Sequence, residues 1–225
     1  MSIRTLALAV LPAVALISTA PANATNFSFT GNFSNDAEVQ FFDFSVGSTS
    51  NVTFVTYSYA GGTNSAGASI ARGGFDPILA VFDGAGNLID QNDDGAPGTV
   101  PTDISGAAFD TFLMLSLGAG NYHVAVMQYR NFAIGPTLAE GFEQSSPTFT
   151  SDLGYSSLNC TQTMFCDVSN LNSAANRDSH WAFDILNVDT AVVIPNETPL
   201  PAALPLFATG IGALGWGAFR RRRKS

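Results

Sequence analysis

Between Thr25 and Thr198 no stretch of this chain sustains a helical period with caps. Short runs rich in β-branched and aromatic residues recur instead, separated by clusters of Gly, Asn, Asp and Ser. That pattern excludes a helix bundle and leaves β-structure as the frame. The runs are Asn26 to Phe33, Val39 to Val46, Asn51 to Tyr59, Pro77 to Phe82, Asn87 to Ile89, Asp110 to Leu117, Asn121 to Tyr129 and His180 to Val188. Phe42, Phe44 and Val46 alternate with Asp43 and Ser45 as in a half-buried strand, and Trp181, Phe183 and Ile185 alternate with Ala182 and Asp184 as in a final core strand. The fold expected is all-β: an antiparallel, jelly-roll-like β-sandwich of about eight strands.

Two hairpins are expected within it. One turns through Asp83-Gly84-Ala85-Gly86, and the other joins Asp110–Leu117 to Asn121–Tyr129 through Gly118-Ala119-Gly120. The stretch from Asn131 to Ser179 is weakly patterned. A loop that long is unusual in a compact domain, so a short strand around Pro147 to Ser151 or a helical turn is expected inside it.

The two ends read as addresses. Arg4, the apolar run Leu6 to Ile17 and Ala22-Asn23-Ala24 have the order of a signal peptide cut between Ala24 and Thr25. An uncleaved anchor is the alternative, disfavoured by the short apolar run. At the other end stand Pro199-Leu200-Pro201, the uncharged run Ala202 to Phe219, and Arg220-Arg221-Arg222-Arg223-Lys224. At about 1.5 Å per residue the run gives about 27 Å, close to the roughly 30 Å hydrocarbon core of a bilayer, so one C-terminal transmembrane helix is expected. Cations at its end place Ser225 inside and everything before Pro199 outside. The expected organisation is therefore a signal peptide at 1–24, an exported domain at 25–189, a linker at 190–198 and a sorting segment at 199–225, with its span at 202–219 and its basic tail at 220–225.

Charge narrows the function classes. All 18 acids lie between Asp36 and Glu197, a stretch that holds only Arg72, Arg130 and Arg177, so the exported domain is more acidic than the chain's total of -9 indicates. Such a surface repels a phosphate backbone, which excludes nucleic acid as a partner; it suits divalent cations or solubility outside a cell. Cys160 and Cys166 form a closely spaced pair that reads as a disulfide in an exported protein, since a metal site needs more ligands nearby. So small a loop is worth about 2–3 kcal/mol in the chain-entropy account.

One motif suggests a ligand. Asp90-Gln91-Asn92-Asp93-Asp94-Gly95 matches the opening half of a calcium loop, with oxygen ligands at alternate positions followed by Gly. Pro101 occupies the position of the usual bidentate acid, so Asp83, Asp76 or Asp103 would have to complete the shell. The candidate ligands are Asp83, Asp90, Asn92, Asp93 and Asp94; a solvated acidic turn accounts for the same residues. No cofactor is required. His123 and His180 sit in strand-like runs without a motif, and no Gly-x-Ser-x-Gly elbow or His-Glu-x-x-His helix occurs, so no catalytic residues are assigned. The N-glycosylation sequons at Asn26, Asn32, Asn51 and Asn159 read as chance matches.

The tail resembles the PEP-CTERM sorting signal of bacterial exported proteins: a Pro-x-Pro motif, a span and a terminal Arg cluster, here with Leu200 where the family usually has Glu. The resemblance implies recognition by an exosortase, a membrane protease that removes the tail and passes the protein to the cell surface or extracellular polysaccharide matrix. A permanent anchor is the alternative. Gly210, Gly212, Gly215 and Gly217, with Pro205, make the span only moderately hydrophobic and leave a small-residue face for another helix.

The exported domain more loosely resembles pre-peptidase C-terminal (PPC) β-sandwich modules and related PEP-CTERM proteins. It does so through Gln40-Phe41-Phe42-Asp43-Phe44, Gly74 to Leu79, Val81 to Ile89, Asn92-Asp93-Asp94, Gly118 to Tyr122 and Arg177 to Asp184. These resemblances imply a non-catalytic surface or biofilm-matrix protein. Its partners would be signal peptidase, the secretion translocon, an exosortase, transiently the membrane, and extracellular polysaccharide. The alternatives are a calcium-dependent carbohydrate-binding or adhesion module and a matrix hydrolase.

Overall fold

A computed structural model describes residues 24–96, 98–153, 165 and 177–195. The chain is an all-β protein. Its strands are β1 (Thr25–Asn32), β2 (Gln40–Val46), β3 (Ser50–Thr56), β4 (Gly62–Thr63), β5 (Ser69–Ile70), β6 (Pro77–Asp83), β7 (Leu88–Asn92), β8 (Phe112–Leu117), β9 (Gly120–Gln128), β10 (His180–Val188) and β11 (Thr190–Ile194). They form one antiparallel sheet in the order β1-β10-β3-β8, a second in the order β11-β2-β9-β6-β7, and a small ribbon of β4 and β5.

The inner faces of the two large sheets make one core. Phe42, Phe44, Leu79, Val81, Val124 and Val126 from the second sheet meet Val52, Phe54, Leu113, Phe183 and Ile185 from the first. Alternation in β2 is as expected, with Phe42, Phe44 and Val46 buried. Phe42 reaches across to Phe29, Phe183 and Trp181 at centroid distances of 4.7, 5.2 and 5.7 Å, and Phe44 meets Phe54 edge-on at 5.4 Å. Full burial of each such side chain contributes about 1.5–3 kcal/mol, and tilted or edge-on ring pairs add about 0.5–1.5 kcal/mol.

Of the connections between strands of the large sheets, the turn between β6 and β7 is the one that stays within a sheet. The second expected hairpin is not one: β8 pairs with β3, whereas β9 lies between β2 and β6 in the other sheet. Gly118 and Ala119 reverse the chain, but a reversal does not specify a hydrogen-bonding neighbour. Leu113 and Leu117 face Val124 and Val126 across the core, so apolar faces on successive strands are buried by facing each other rather than by lying side by side. The expected linker is also shorter, because Thr190–Ile194 is a strand paired with Ser45 to Phe41, and Ala191 enters the core. The fold thus runs to Ile194, past the boundary expected at residue 189.

Both sheets carry cover on their outer faces. β6 is buried along its length because Ile78, Ala80 and Phe82, with Ala125 and Met127, form a second cluster beneath Phe41, Leu88, Tyr129, Phe132, Ala133, Leu138 and Phe142. Part of the weakly patterned stretch is therefore a lid, and it contains a 3₁₀ turn at Leu138–Glu140 and a helical turn at Phe149–Asp152. On the first sheet, Ala182 and Asp184 are buried as completely as Phe183 between them, so β10 is covered on both faces. The segment around β4 folds over them: the Ser65 amide donates to Asp184 at 2.7 Å.

Register gives the domain two unlike poles. Tight connections at Gly47, Asp83–Asn87, Gly118 and Asp189 gather at one, beside Thr25; the long connections gather at the other, where Ile194 ends β11.

Candidate functional site

At the long-loop pole a network of charged groups stands beside the ring cluster of Phe33, Phe75 and Trp181. Asp103 is buried and receives both arms of Arg72, Nε at 2.6 Å and Nη2 at 3.0 Å, together with Arg177 Nη2 at 3.1 Å and the Ser105 amide at 3.0 Å. The hydrogen bonds from Arg72 hold its carboxyl well below the usual carboxylate range, against an opposing desolvation effect, and Ser105 and the Arg177 charge assist. Arg177 also donates to the Tyr59 carbonyl at 2.5 Å and lies over the Tyr59 ring, 3.4 Å from its centroid. Two of the domain's three arginines therefore converge on a single carboxylate.

A second buried carboxylate, Asp110, sits one loop away. It accepts from Thr56 Oγ1 at 2.9 Å, the Tyr59 amide at 3.1 Å and the Ala60 amide at 2.8 Å. Burial pushes this group upward, and those hydrogen bonds resist the shift. Tyr57, near Asp110 and Asp184, is pushed up to about 12, first by desolvation and then by the Asp184 charge. Gly74 lies flush in the same pole. A Cβ there would stand 2.3 Å from the His180 carbonyl oxygen and 2.7 Å from that of Ser58, so only glycine lets these segments close. Sequence reading missed this network; the available signal was the scarcity of arginine among so many acids.

The candidate calcium ligands are not gathered. Leu79 pairs with Asn92, so Asp83 lies four residues further along β6, about 14 Å at about 3.4 Å per residue. Asp83 closes its own turn, accepting from the Ala85 and Asn87 amides and from Asn87 Nδ2 at 2.9, 2.9 and 2.8 Å. Asn87 is the main reason its carboxyl is lowered. Asp90 accepts from the Gln91 amide, and Asn92 donates to the carbonyls of Asp94 and Phe112. Asp103, one residue proposed to complete the shell, is occupied by arginine. Asp93 and Asp94 stay together: Asp94 is exposed at the surface, yet its carboxyl is pushed up to about 6, first by partial desolvation and then by the Asp93 charge. Among the described residues no group of three or more His, Cys, Asp or Glu is arranged to hold a metal.

His123 lies directly across from Asp43, with Nδ1 2.5 Å from Oδ1, and His180 contacts the Asp178 carboxylate and, through Nε2 at 3.1 Å, the Ala71 carbonyl. Each histidine thus pairs with a carboxylate on a strand surface. Of the processing residues, Ala24 is exposed and Thr25 opens β1, its hydroxyl donating to the Val188 carbonyl at 3.1 Å. Cys160, Cys166, Pro199, Leu200, Pro201 and Arg220 to Lys224 lie outside the described residues. Among the described residues no helix is long and apolar enough to cross a membrane; the run Ala202 to Phe219 is not among them.

Compared with known proteins, the chain matches no family model, and a search of curated proteins returns no match.

Proposed function

We propose that this chain is a non-catalytic exported protein of the bacterial cell surface or extracellular polysaccharide matrix, delivered as a membrane-anchored precursor and released from its tail by an exosortase. The fold class in this reading is a jelly-roll β-sandwich extended by β11. The sheet orders β1-β10-β3-β8 and β11-β2-β9-β6-β7 support it, because eight strands shared between two sheets with repeated crossings are the jelly-roll plan.

The observation that carries the function is the order Pro199-Leu200-Pro201, uncharged run, Arg220 to Lys224. The boundaries of the fold agree with it, since the predicted signal-peptidase cut precedes the first strand and Pro199 follows the last. The carboxylates of the long-loop pole join loops: Asp103 binds Arg72 and Arg177, and Asp110 accepts from the Tyr59 and Ala60 amides. Mass spectrometry of the full chain expressed with and without an exosortase tests the reading. Loss of mass at the C-terminus only in the host with the protease is expected, and an intact Ser225 in both hosts refutes it.

The Asp93–Asp94 pair favours one second reading, calcium-dependent carbohydrate binding. A divalent cation would offset the partial desolvation and the neighbouring Asp93 charge that push the Asp94 carboxyl up, with ligands from Asp90 and Asn92 after rearrangement of this turn. Calorimetry decides, and neither heat nor a melting shift at about millimolar calcium rejects the site.

A further inference from the structure

Three buried polar side chains meet at the end of β9. Gln128 closes that strand in line with Val124 and Val126, its core-facing residues, and is itself fully buried. Its Nε2 donates to Thr150 Oγ1 at 3.2 Å. Thr150 belongs to the helical turn Phe149–Asp152 and is also fully buried. The Thr150 backbone amide donates in turn to Asp36 Oδ2 at 3.3 Å, and Asp36, from the connection between β1 and β2, is only 1% exposed. An amide, a hydroxyl and a carboxylate from three segments of the chain are thus brought together out of water.

These are the parts of an acyl transfer. Thr150 Oγ1 accepts from the Gln128 amide, so a lone pair of the hydroxyl faces that group while its hydrogen points elsewhere. A C–N bond of about 1.33 Å puts Gln128 Cδ within about 4.5 Å of Oγ1, a side-chain rotation away from the roughly 3–3.5 Å of a near-attack pair. Attack forms the Oγ1–Cδ bond; the Asp36 carboxylate takes the hydroxyl proton and returns it to Nε2; the Cδ–Nε2 bond then breaks and ammonia leaves. One hydroxyl and one amide become one ester and one ammonia, with no oxidant, reductant or cofactor consumed. Ammonia that escapes is protonated in neutral solvent, which draws the exchange forward, and exclusion of water from the site protects the ester from hydrolysis. The fold holds both partners in place, so the step is unimolecular.

We propose that Thr150 and Gln128 become joined by an intramolecular ester, with Asp36 as the base, which ties the helical turn covalently to the end of β9. It is a single self-modification rather than turnover of a substrate, and it is independent of the sorting reading. Trypsin cuts the denatured full chain after Arg72, Arg130 and Arg177, leaving Gln128 in fragment 73–130 and Thr150 in fragment 131–177. Cys160 and Cys166 both lie in the second fragment, so a disulfide between them does not join the two. Mass spectrometry of the reduced wild-type digest finds the two fragments joined and lighter than their sum by one ammonia, and hydroxylamine, which cleaves esters, separates them. Thr150→Val, which exchanges the hydroxyl for a methyl group, gives separate fragments, and Asp36→Asn slows linkage after refolding by about a hundredfold or more. Separate fragments from the wild type overturn the proposal whether or not the variants fold, as does joining in Thr150→Val. Linkage at the wild-type rate in Asp36→Asn overturns the role given to Asp36.

Discussion

Replacing Asp103 by Asn removes one negative charge from beneath two guanidinium groups while preserving shape. In the native fold both carboxylate oxygens are engaged by Arg72, and Arg177, whose side chain is fully buried, shares one of them. The variant leaves the Arg177 guanidinium in its low-dielectric position without the Asp103 charge, and breaking a buried pair in this way costs about 3–5 kcal/mol. For a domain of this size a kilocalorie shifts the melting temperature by about 2–4 °C, so a fall of about 6–20 °C is expected. Urea denaturation at pH 7, in low and high salt, gives the same loss as a shift in midpoint, and the loss is insensitive to salt because the pair is shielded from counterions.

The pH dependence has a definite sign. The folded carboxyl is lowered, so its contribution is present above the unfolded carboxylate range and disappears as pH falls toward its folded value; the gap between wild type and Asp103→Asn therefore narrows below about pH 4. A double variant, Asp103→Leu with Arg177→Met, recovers much of the loss, since an apolar pair of similar size replaces a buried ion pair at little cost. A loss below about 1 kcal/mol in Asp103→Asn, the range of exposed ion pairs, would refute the claim that this network holds the pole together.

Three further outcomes follow from the same structure. Phe183→Ala, which empties the contact among Phe29, Phe42 and Phe54, lowers unfolding free energy by about 3–5 kcal/mol in urea titrations. Gly74→Ala forces a Cβ against two carbonyl oxygens and costs about 1–3 kcal/mol, measured as a lowered melting temperature with circular dichroism unchanged at room temperature. If the Asp93–Asp94 turn takes calcium, calorimetric affinity rises between pH 5 and pH 7 as Asp94, pushed up to about 6, loses its proton; Asp94→Asn removes that pH dependence.

Much of the frame was legible because alternation is a local signal. Phe42-Asp43-Phe44-Ser45-Val46 dictates a strand with one wet face whatever surrounds it, and β2 has that form. The Asp83 turn was equally legible, since its side chain closes the loop within five residues. β11 was not: a five-residue run ending at Pro195 has the composition of either a tether or a strand, and pairing with β2 decides between them. The same holds for Gly118 and Ala119, whose turn is written in the residues while the choice of sheet is made by which edges other strands already occupy.

The candidate site divides in the same way. Asp90, Asn92, Asp93 and Asp94 stand out in sequence because adjacent acids are visible by inspection, but alignment along a chain does not aim side chains at one point, and the turn directs Asp90 and Asn92 to nearby backbone. Asp103, Arg72 and Arg177 come from three separate segments, so no window of sequence contains them. By itself the sequence determined the β class, the core faces of single strands and the acidic balance, because each depends on composition or short-range order. Tertiary structure alone decided which strands pair, that both faces of β6 and β10 are covered, and that two arginines share Asp103, because burial and ion pairing depend on distances between residues far apart in the chain.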